Sequence, residues 1–176
     1  AGFSVMEREG VSKKIKQVTN QFGDNCPSIH LVFGDLSEIE LNSLYNDEKV
    51  KAMVMFTKGE GYGRPLAEFA TTGKPIIVSE WSGHTDFLPV ENTVYLSGEI
   101  KKIHPTAANK FLLAESKWFT VDISKAAASI FDVFKNYKKH LKNSQGLKTN
   151  IRKNFSLDKM TTTLGEILKK YVKVQT

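Results

Sequence analysis

The sequence predicts an α/β fold, a parallel sheet flanked by helices and followed by further C-terminal helices. Three observations predict it. Short apolar runs that read as buried strands alternate with helical patterns between residues 29 and 96. The spacing suits right-handed strand–helix–strand units, whose neighbouring strands run parallel. From Ser124 onward the chain carries only amphipathic helical patterns.

Val5, Val11, Ile15, Val18 and Phe22 recur at helical spacings, predicting a helix over Phe3–Phe22 that Gly10 weakens and Gly23-Asp24-Asn25 ends. Ile29–Phe33 reads as a buried strand. Ser37-Glu38-Ile39-Glu40 has capping-box spacing, which starts a helix over Glu38–Asn46. Val50–Phe56 is the next strand, followed by a glycine-rich bend and a helix over Pro65–Thr72 stopped by Gly73. Ile76–Ser79 is a strand, Thr85–Leu88 a helical turn, and Thr93–Leu96 another strand. Thr93–Ile103 reads as a hairpin turning near Ser97-Gly98. Residues 98–120 form an insertion with a short helix over Thr106–Ala114. Residues 124–176 form a helical segment. In it Ser124 caps a helix over Lys125–Leu141 with Ala127, Ile130, Phe131, Phe134 and Tyr137 inward. A second helix covers Gln145–Asn154, and a last one turns Met160, Leu164, Ile167, Leu168 and Tyr171 inward.

Composition bounds the function. The 176 residues, 40% hydrophobic and 25% charged, suffice for one globular domain. No apolar run approaches the roughly 20 residues of a membrane span. The single cysteine, Cys26, cannot form an internal disulfide, so a reducing compartment is expected. Localisation is read as cytoplasmic, with peripheral membrane association as the alternative. The net charge of +6 divides unevenly, −3 over residues 1–124 and +9 over residues 125–176. A basic third of this kind is either a solvated helical face or a surface for polyanions. No nucleic-acid-binding signature accompanies the charge, so nucleic acid is not the expected partner.

The chemistry concentrates in Glu60-Gly61-Tyr62-Gly63-Arg64-Pro65-Leu66-Ala67-Glu68. Glycines let a backbone approach a ligand closely, and a proline at the first helical position leaves free N–H groups that attract phosphate. A carboxylate at each end suits paired hydroxyls, since it offers two acceptor oxygens. Phosphate and diols together describe a sugar nucleotide. In parallel sheets ligands bind beyond the carboxyl ends of strands; this bend lies at one such end and Ser82-Gly83 at another. Gly59, Gly61 and Gly63 with Arg64 do not fit the G-x-G-x-x-G dinucleotide fingerprint, and no Walker A sequence is present.

Glu60 and Glu68, with seven residues between them, resemble the E-x7-E motif of retaining GT-B glycosyltransferases of the family-4 type. Thr71-Thr72-Gly73-Lys74-Pro75-Ile76-Ile77-Val78-Ser79 resembles that family's A-x-G-x-P-V-I-x-S. Ser82-Gly83-His84-Thr85-Asp86 resembles its G-G-x-x-E loop, with Asp86 in place of Glu. Ile29–Gly34 and Glu40–Tyr45 resemble its preceding strand, glycine and helix. The resemblance covers about a third of the chain, from Ile29 to Leu88.

The resemblance implies that residues 1–176 are part of the C-terminal, donor-binding, Rossmann-like half of a GT-B fold, truncated at its N-terminal side. The acceptor domain is then expected to lie outside these residues, as is the first strand–helix unit with the second strand. The 176 residues alone are therefore expected to be inactive. The donor would be a nucleoside-diphosphate sugar and the acceptor an unidentified glycan, lipid or other molecule. No cofactor and no metal are expected. Glu68 would accept hydrogen bonds from the ribose, and Glu60, the catalytic candidate, would hold the transferred sugar and stabilise its positive charge. Gly61, Tyr62 and Gly63 would offer backbone N–H groups, with Tyr62 equally suited to packing. Arg64 either reaches phosphate or pairs with a neighbouring carboxylate. Leu66 would lend backbone near the ribose, and Gly34 and Leu36 belong to the loop that cups the base. His84 is a candidate for acceptor or phosphate contact. His30, His104 and His140 lack metal-binding spacing, and Trp81 and Trp118 read as core or shielding aromatics, with a sugar-stacking platform as the alternative. The alternative is a non-catalytic module that binds nucleotide or glycan; a third reading is nucleic-acid binding through the basic C-terminal segment.

Overall fold

The computed structural model describes residues 4–172, which divide into two units, residues 1–44 and residues 45–176. Phe3, where the first expected helix begins, lies outside the described residues. The architecture is mixed α/β, with six α-helices among the described residues and a three-stranded parallel sheet, an arrangement compatible with a Rossmann-like fold.

In the first unit, helix α1 spans Val5–Thr19. Its start is a capping box the periodicity did not reveal: the Glu7 amide donates to Ser4 Oγ, and the Ser4 amide to Glu7 Oε2. Ile29–Phe33 is a correction. It has no regular secondary structure and pairs in no ladder among the described residues, and Ile29 and Leu31 line a cleft of about 350 Å³ with Ile15 of α1. Ile29 and Leu31 turn toward α1, and no strand pairs with this segment among the described residues. Helix α2, Glu38–Asn46, begins as expected, with Ser37 and Glu40 bonded reciprocally. The Ser37 hydrogen bonds hold the Glu40 carboxyl below its usual range.

In the second unit, strands β1 (Met53–Met55), β2 (Ile76–Ser79) and β3 (Val94–Leu96) form the parallel sheet in sequence order. Helix α3, Arg64–Ala70, joins β1 to β2. Strand β2 is central and buried throughout, so its alternating side chains serve two cores. Ile76 and Val78 pack with Leu66, Phe69 and Ala70 of α3 and with Leu147 and Ile151. Ile77 packs on the opposite face with Leu96, Phe119, Val121, Ala126 and Val133. Fully burying a side chain such as Leu66 or Ile76 contributes about 2 kcal/mol.

The segment after β3 departs from expectation. No hairpin turns at Ser97-Gly98: β3 stays in the parallel sheet, and β4 (Gly98–Lys102) pairs antiparallel with β5 (Lys117–Val121). Ser97 is the joint between two sheets. The close approach explains Gly98, since a Cβ there would run into the Thr120 carbonyl. The helix expected over Thr106–Ala114 shrinks to one 3-10 turn, Pro105–Ala107. Asn109 ends it by accepting from the amides of Phe111 and Leu112, and Phe111 is left exposed.

Helices α4 (Ile123–Lys135), α5 (Tyr137–Asn154) and α6 (Leu157–Tyr171) follow. Asp122, not Ser124, caps α4, its carboxylate accepting from the amides of Ser124 and Lys125. The helix expected to run to Leu141 breaks at Asn136, and α5 begins eight residues before Gln145. Asp132 marks the break, accepting from Asn136 Nδ2 at 2.7 Å while lying 2.7 Å from His140 Nε2. These bonds, His140 foremost, hold the Asp132 carboxyl below its usual range. The inward face of α4 is Ala126 and Val133; Phe131 and Phe134 are exposed, and Ile130, Phe134 and Tyr137 line an open groove beside Val54 and Ile77. The face expected inward on α6 is also a correction: Met160, Leu164, Ile167, Leu168 and Tyr171 are all exposed. Helix α5 docks firmly. Ser144 Oγ and Gln145 Nε2 donate to the Gly73 carbonyl, and Asn150 Nδ2 donates to that of Phe87. No described helix is long and apolar enough to cross a membrane.

Candidate functional site

The Glu60–Glu68 bend leaves the carboxyl end of β1, and the Ser82–Asp86 loop leaves the carboxyl end of β2. The two segments are bound together by three hydrogen bonds and by side-chain packing. The Ser82 hydroxyl donates to the Glu60 carbonyl at 2.6 Å and accepts from the Glu60 amide at 2.9 Å. The Gly83 amide donates to the same carbonyl at 3.1 Å. His84 packs on Gly63, where an added Cβ would lie 3.1 Å from the His84 Cβ. Tyr62 lies against Phe87 with ring centroids 4.8 Å apart.

Two backbone requirements follow. Gly83 must lack a side chain, because a Cβ there would strike the Gly61 carbonyl. Ser82 has φ of 89°, a conformation glycine adopts freely and serine does not. Strain of this kind costs about 1–3 kcal/mol, and here the two hydrogen bonds to Glu60 offset it. Ser82 is the residue whose role sequence reasoning missed. The sequence signals only its positive φ, since Ser82 stands where the G-G-x-x-E pattern has its first glycine.

Hydrogen-bonding capacity at the bend is left unspent. Glu60 is half-buried; its Oε1 accepts from Thr57 Oγ1 at 3.0 Å, and its Oε2 accepts nothing among the described residues. The amides of Gly61, Tyr62 and Gly63 likewise donate to no acceptor among the described residues. Three donors and one carboxylate oxygen thus share one short stretch of chain. Gly63, with φ of 90°, caps α3, and its carbonyl accepts from the amides of Leu66 and Ala67. The Leu66 amide is therefore engaged within the cap, and its side chain is fully buried.

Arg64 pairs with Glu68, Nε to Oε1 at 3.2 Å, one helical turn along. The arginine is 81% exposed, so solvent screens the pair, which contributes at most about 0.5 kcal/mol. It leaves Glu68 Oε2 without a partner among the described residues. Burial, and then the Glu68 charge, push the Tyr45 phenol up, and Tyr45 packs edge-on to Phe69.

His84 is buried, with no exposed surface, and Nε2 lies 2.7 Å from the Ser79 carbonyl, fixing the loop to the end of β2. Its Nδ1 and the Ser79 hydroxyl are buried without hydrogen-bond partners among the described residues. In its present position it is a support under Gly63. Trp118 sits under Lys58 Nζ at 5.2 Å, while Trp81 is 46% exposed and stacks on Phe119. Gly34, with φ of 134°, and Leu36 belong to the 1–44 unit and are both exposed there. Among the described residues, no group of three or more His, Cys, Asp or Glu is placed to hold a metal ion.

No protein-family model matches the chain, and a search of curated proteins finds no match either.

Proposed function

We propose that this chain is the donor-binding part of a retaining GT-B glycosyltransferase of the family-4 type, binding a nucleoside-diphosphate sugar at the Glu60–Glu68 bend. One observation carries the reading: the bend holds a carboxylate oxygen and three amides unpartnered among the described residues, where Ser82 bonds the Glu60 backbone twice. The polarity suits the ligand. Carboxylate oxygens accept from sugar hydroxyls, amides donate to phosphate or sugar oxygens, and a rigid site spends little binding energy on ordering.

In this reading Glu60 accepts hydroxyls of the sugar and, through its negative charge, favours the positive charge that grows at the anomeric carbon as the diphosphate departs. Glu68 accepts from the ribose hydroxyls, one oxygen being released when Arg64 turns toward the diphosphate. Arg64 is suited to that exchange because it is exposed and its present pairing is weak. The acceptor hydroxyl attacks on the face the nucleotide leaves, its proton passing to the departing phosphate oxygen.

The test is the thermal stability of the chain titrated with UDP-, GDP- and ADP-sugars. A ligand at a hundred times its Kd stabilises by about 2.7 kcal/mol, which raises Tm by about 5–10 °C for a chain of this size. The reading expects one base to give such a shift and Glu68→Ala to remove it. No response to any of the three contradicts it.

A further inference from the structure

We propose that the indole of Trp81 is a stacking platform for a pyranose ring beside Glu60, an inference that rests on the nucleotide-sugar reading above. Trp81 immediately precedes Ser82, whose hydroxyl bridges the amide and carbonyl of Glu60. The backbone of Trp81 is thereby held at the Glu60 end of the bend. Glu68 lies in α3, beyond the Gly63 cap, so the platform belongs to the sugar end of the motif and not to the nucleoside end.

The ring is exposed yet fixed. Trp81 is 46% exposed, unusual for a residue that folding normally buries. It lies parallel to Phe119, with 5° between the planes and centroids 6.1 Å apart. Phe119 is itself 6% exposed, packed in the core with Leu96 and Val121. The Phe119 amide donates to the Lys58 carbonyl at 3.3 Å, so strand β5 braces the indole and the start of the bend together. A rigid aromatic offers contact area at little entropic cost.

A pyranose has the matching shape: its ring faces carry C–H groups and its rim carries hydroxyls. Laid flat on an indole, it removes apolar area from water while its rim hydroxyls stay free for directed bonds. Glu60 Oε2 is the acceptor at hand. Lys58 does not compete for that carboxylate, its ammonium lying over Trp118 and 3.5 Å from Thr120 Oγ1.

The pyranose is either the donor's sugar or the acceptor's, and fluorescence separates the two. The chain has two tryptophans, so Trp118→Phe leaves Trp81 as the only indole emitter. That variant is titrated with UDP, GDP and ADP, with the corresponding nucleotide sugars, and with methyl glycosides of glucose, galactose, mannose and N-acetylglucosamine. Calorimetry follows binding in parallel. Trp81 emission is expected to change with a sugar-bearing ligand and not with the bare diphosphate. A response to the nucleotide sugar assigns the platform to the donor, and one to a glycoside assigns it to the acceptor. Trp81→Ala should weaken the pyranose-dependent affinity on the order of tenfold or more, and leave diphosphate affinity unchanged. Nucleotide-sugar binding with silent Trp81 emission and a neutral Trp81→Ala overturns the platform while the functional reading stands. A glycoside response with no nucleotide binding supports the platform and removes the transferase reading. No binding of any ligand removes both.

Discussion

Ser82 bonds both the amide and the carbonyl of Glu60 through one hydroxyl, and adopts a positive φ to do so. Removing the hydroxyl while keeping a Cβ leaves the strain and loses both bonds. Ser82→Ala should therefore destabilise by about 2 kcal/mol, at roughly 1 kcal/mol per bond. Ser82→Gly loses the same bonds but relieves the strain, so its melting temperature should fall between those of the parent and Ser82→Ala. Thermal melts of the three proteins check the order, and Ser82→Gly below Ser82→Ala contradicts the offset described here. The motif's glutamates, glycines and Arg64 were legible as residue types at fixed spacing. The role of Ser82 was not, because it depends on a contact across 22 residues that no local pattern encodes. Nor does spacing reveal that His84 is buried under the bend: a histidine in a polar loop looks the same whether it faces solvent or Gly63.

At the scale of elements, the strands with strong local signals were readable. The capping box at Ser37 fixed α2, and the run Ile76–Ser79 fixed β2, because each carries its cause in adjacent residues. Ile29–Phe33 misled because strand formation needs a bonded neighbour, which apolar composition alone does not supply. The break at Asn136 was hidden because neither glycine nor proline marks it; Asp132 makes it by bonding Asn136 and His140. The inward face of α4 also differs from the one that periodicity suggests. Val133 is 4% exposed and Phe134 is 74% exposed. Val133→Ala should cost about 1–2 kcal/mol as a core truncation, and Phe134→Ala no more than about 0.5 kcal/mol as a surface change. Urea unfolding measures both, and a larger loss for Phe134→Ala restores the inward face that periodicity suggests.

Across the second unit, Tyr95 ties β3 to the loop behind the bend, its hydroxyl donating to the Leu88 carbonyl at 2.7 Å. Burial, aided by the Glu80 charge, pushes this phenol up to about 12. A raised pKa means that the folded state keeps the proton better than the unfolded chain does. The stabilisation is thus complete below the ordinary tyrosine value near 10 and is lost as pH climbs from about 10 to about 12. Urea midpoints measured between pH 9 and 11.5 should fall with pH, and fall less steeply in Tyr95→Phe; equal slopes contradict a buried neutral phenol. The C-terminal helical segment, residues 125–176, carries a net charge of +9, and the apolar faces of α4 and α6 remain partly open to solvent. Hydrophobic periodicity located those helices but not their inward faces, since it reports amphipathicity and not what lies opposite.

The central claim, that Glu60 and Glu68 hold the two ends of one nucleotide sugar, is tested most directly by calorimetry on the parent chain, Glu60→Ala and Glu68→Ala. Each is titrated with a nucleoside diphosphate and with its sugar conjugate. The account predicts that Glu68→Ala weakens both ligands by at least about tenfold, the worth of a hydrogen bond to a charged group. Glu60→Ala should weaken the sugar conjugate alone. Equal binding by all three proteins, or equal loss of the bare diphosphate in both variants, contradicts it.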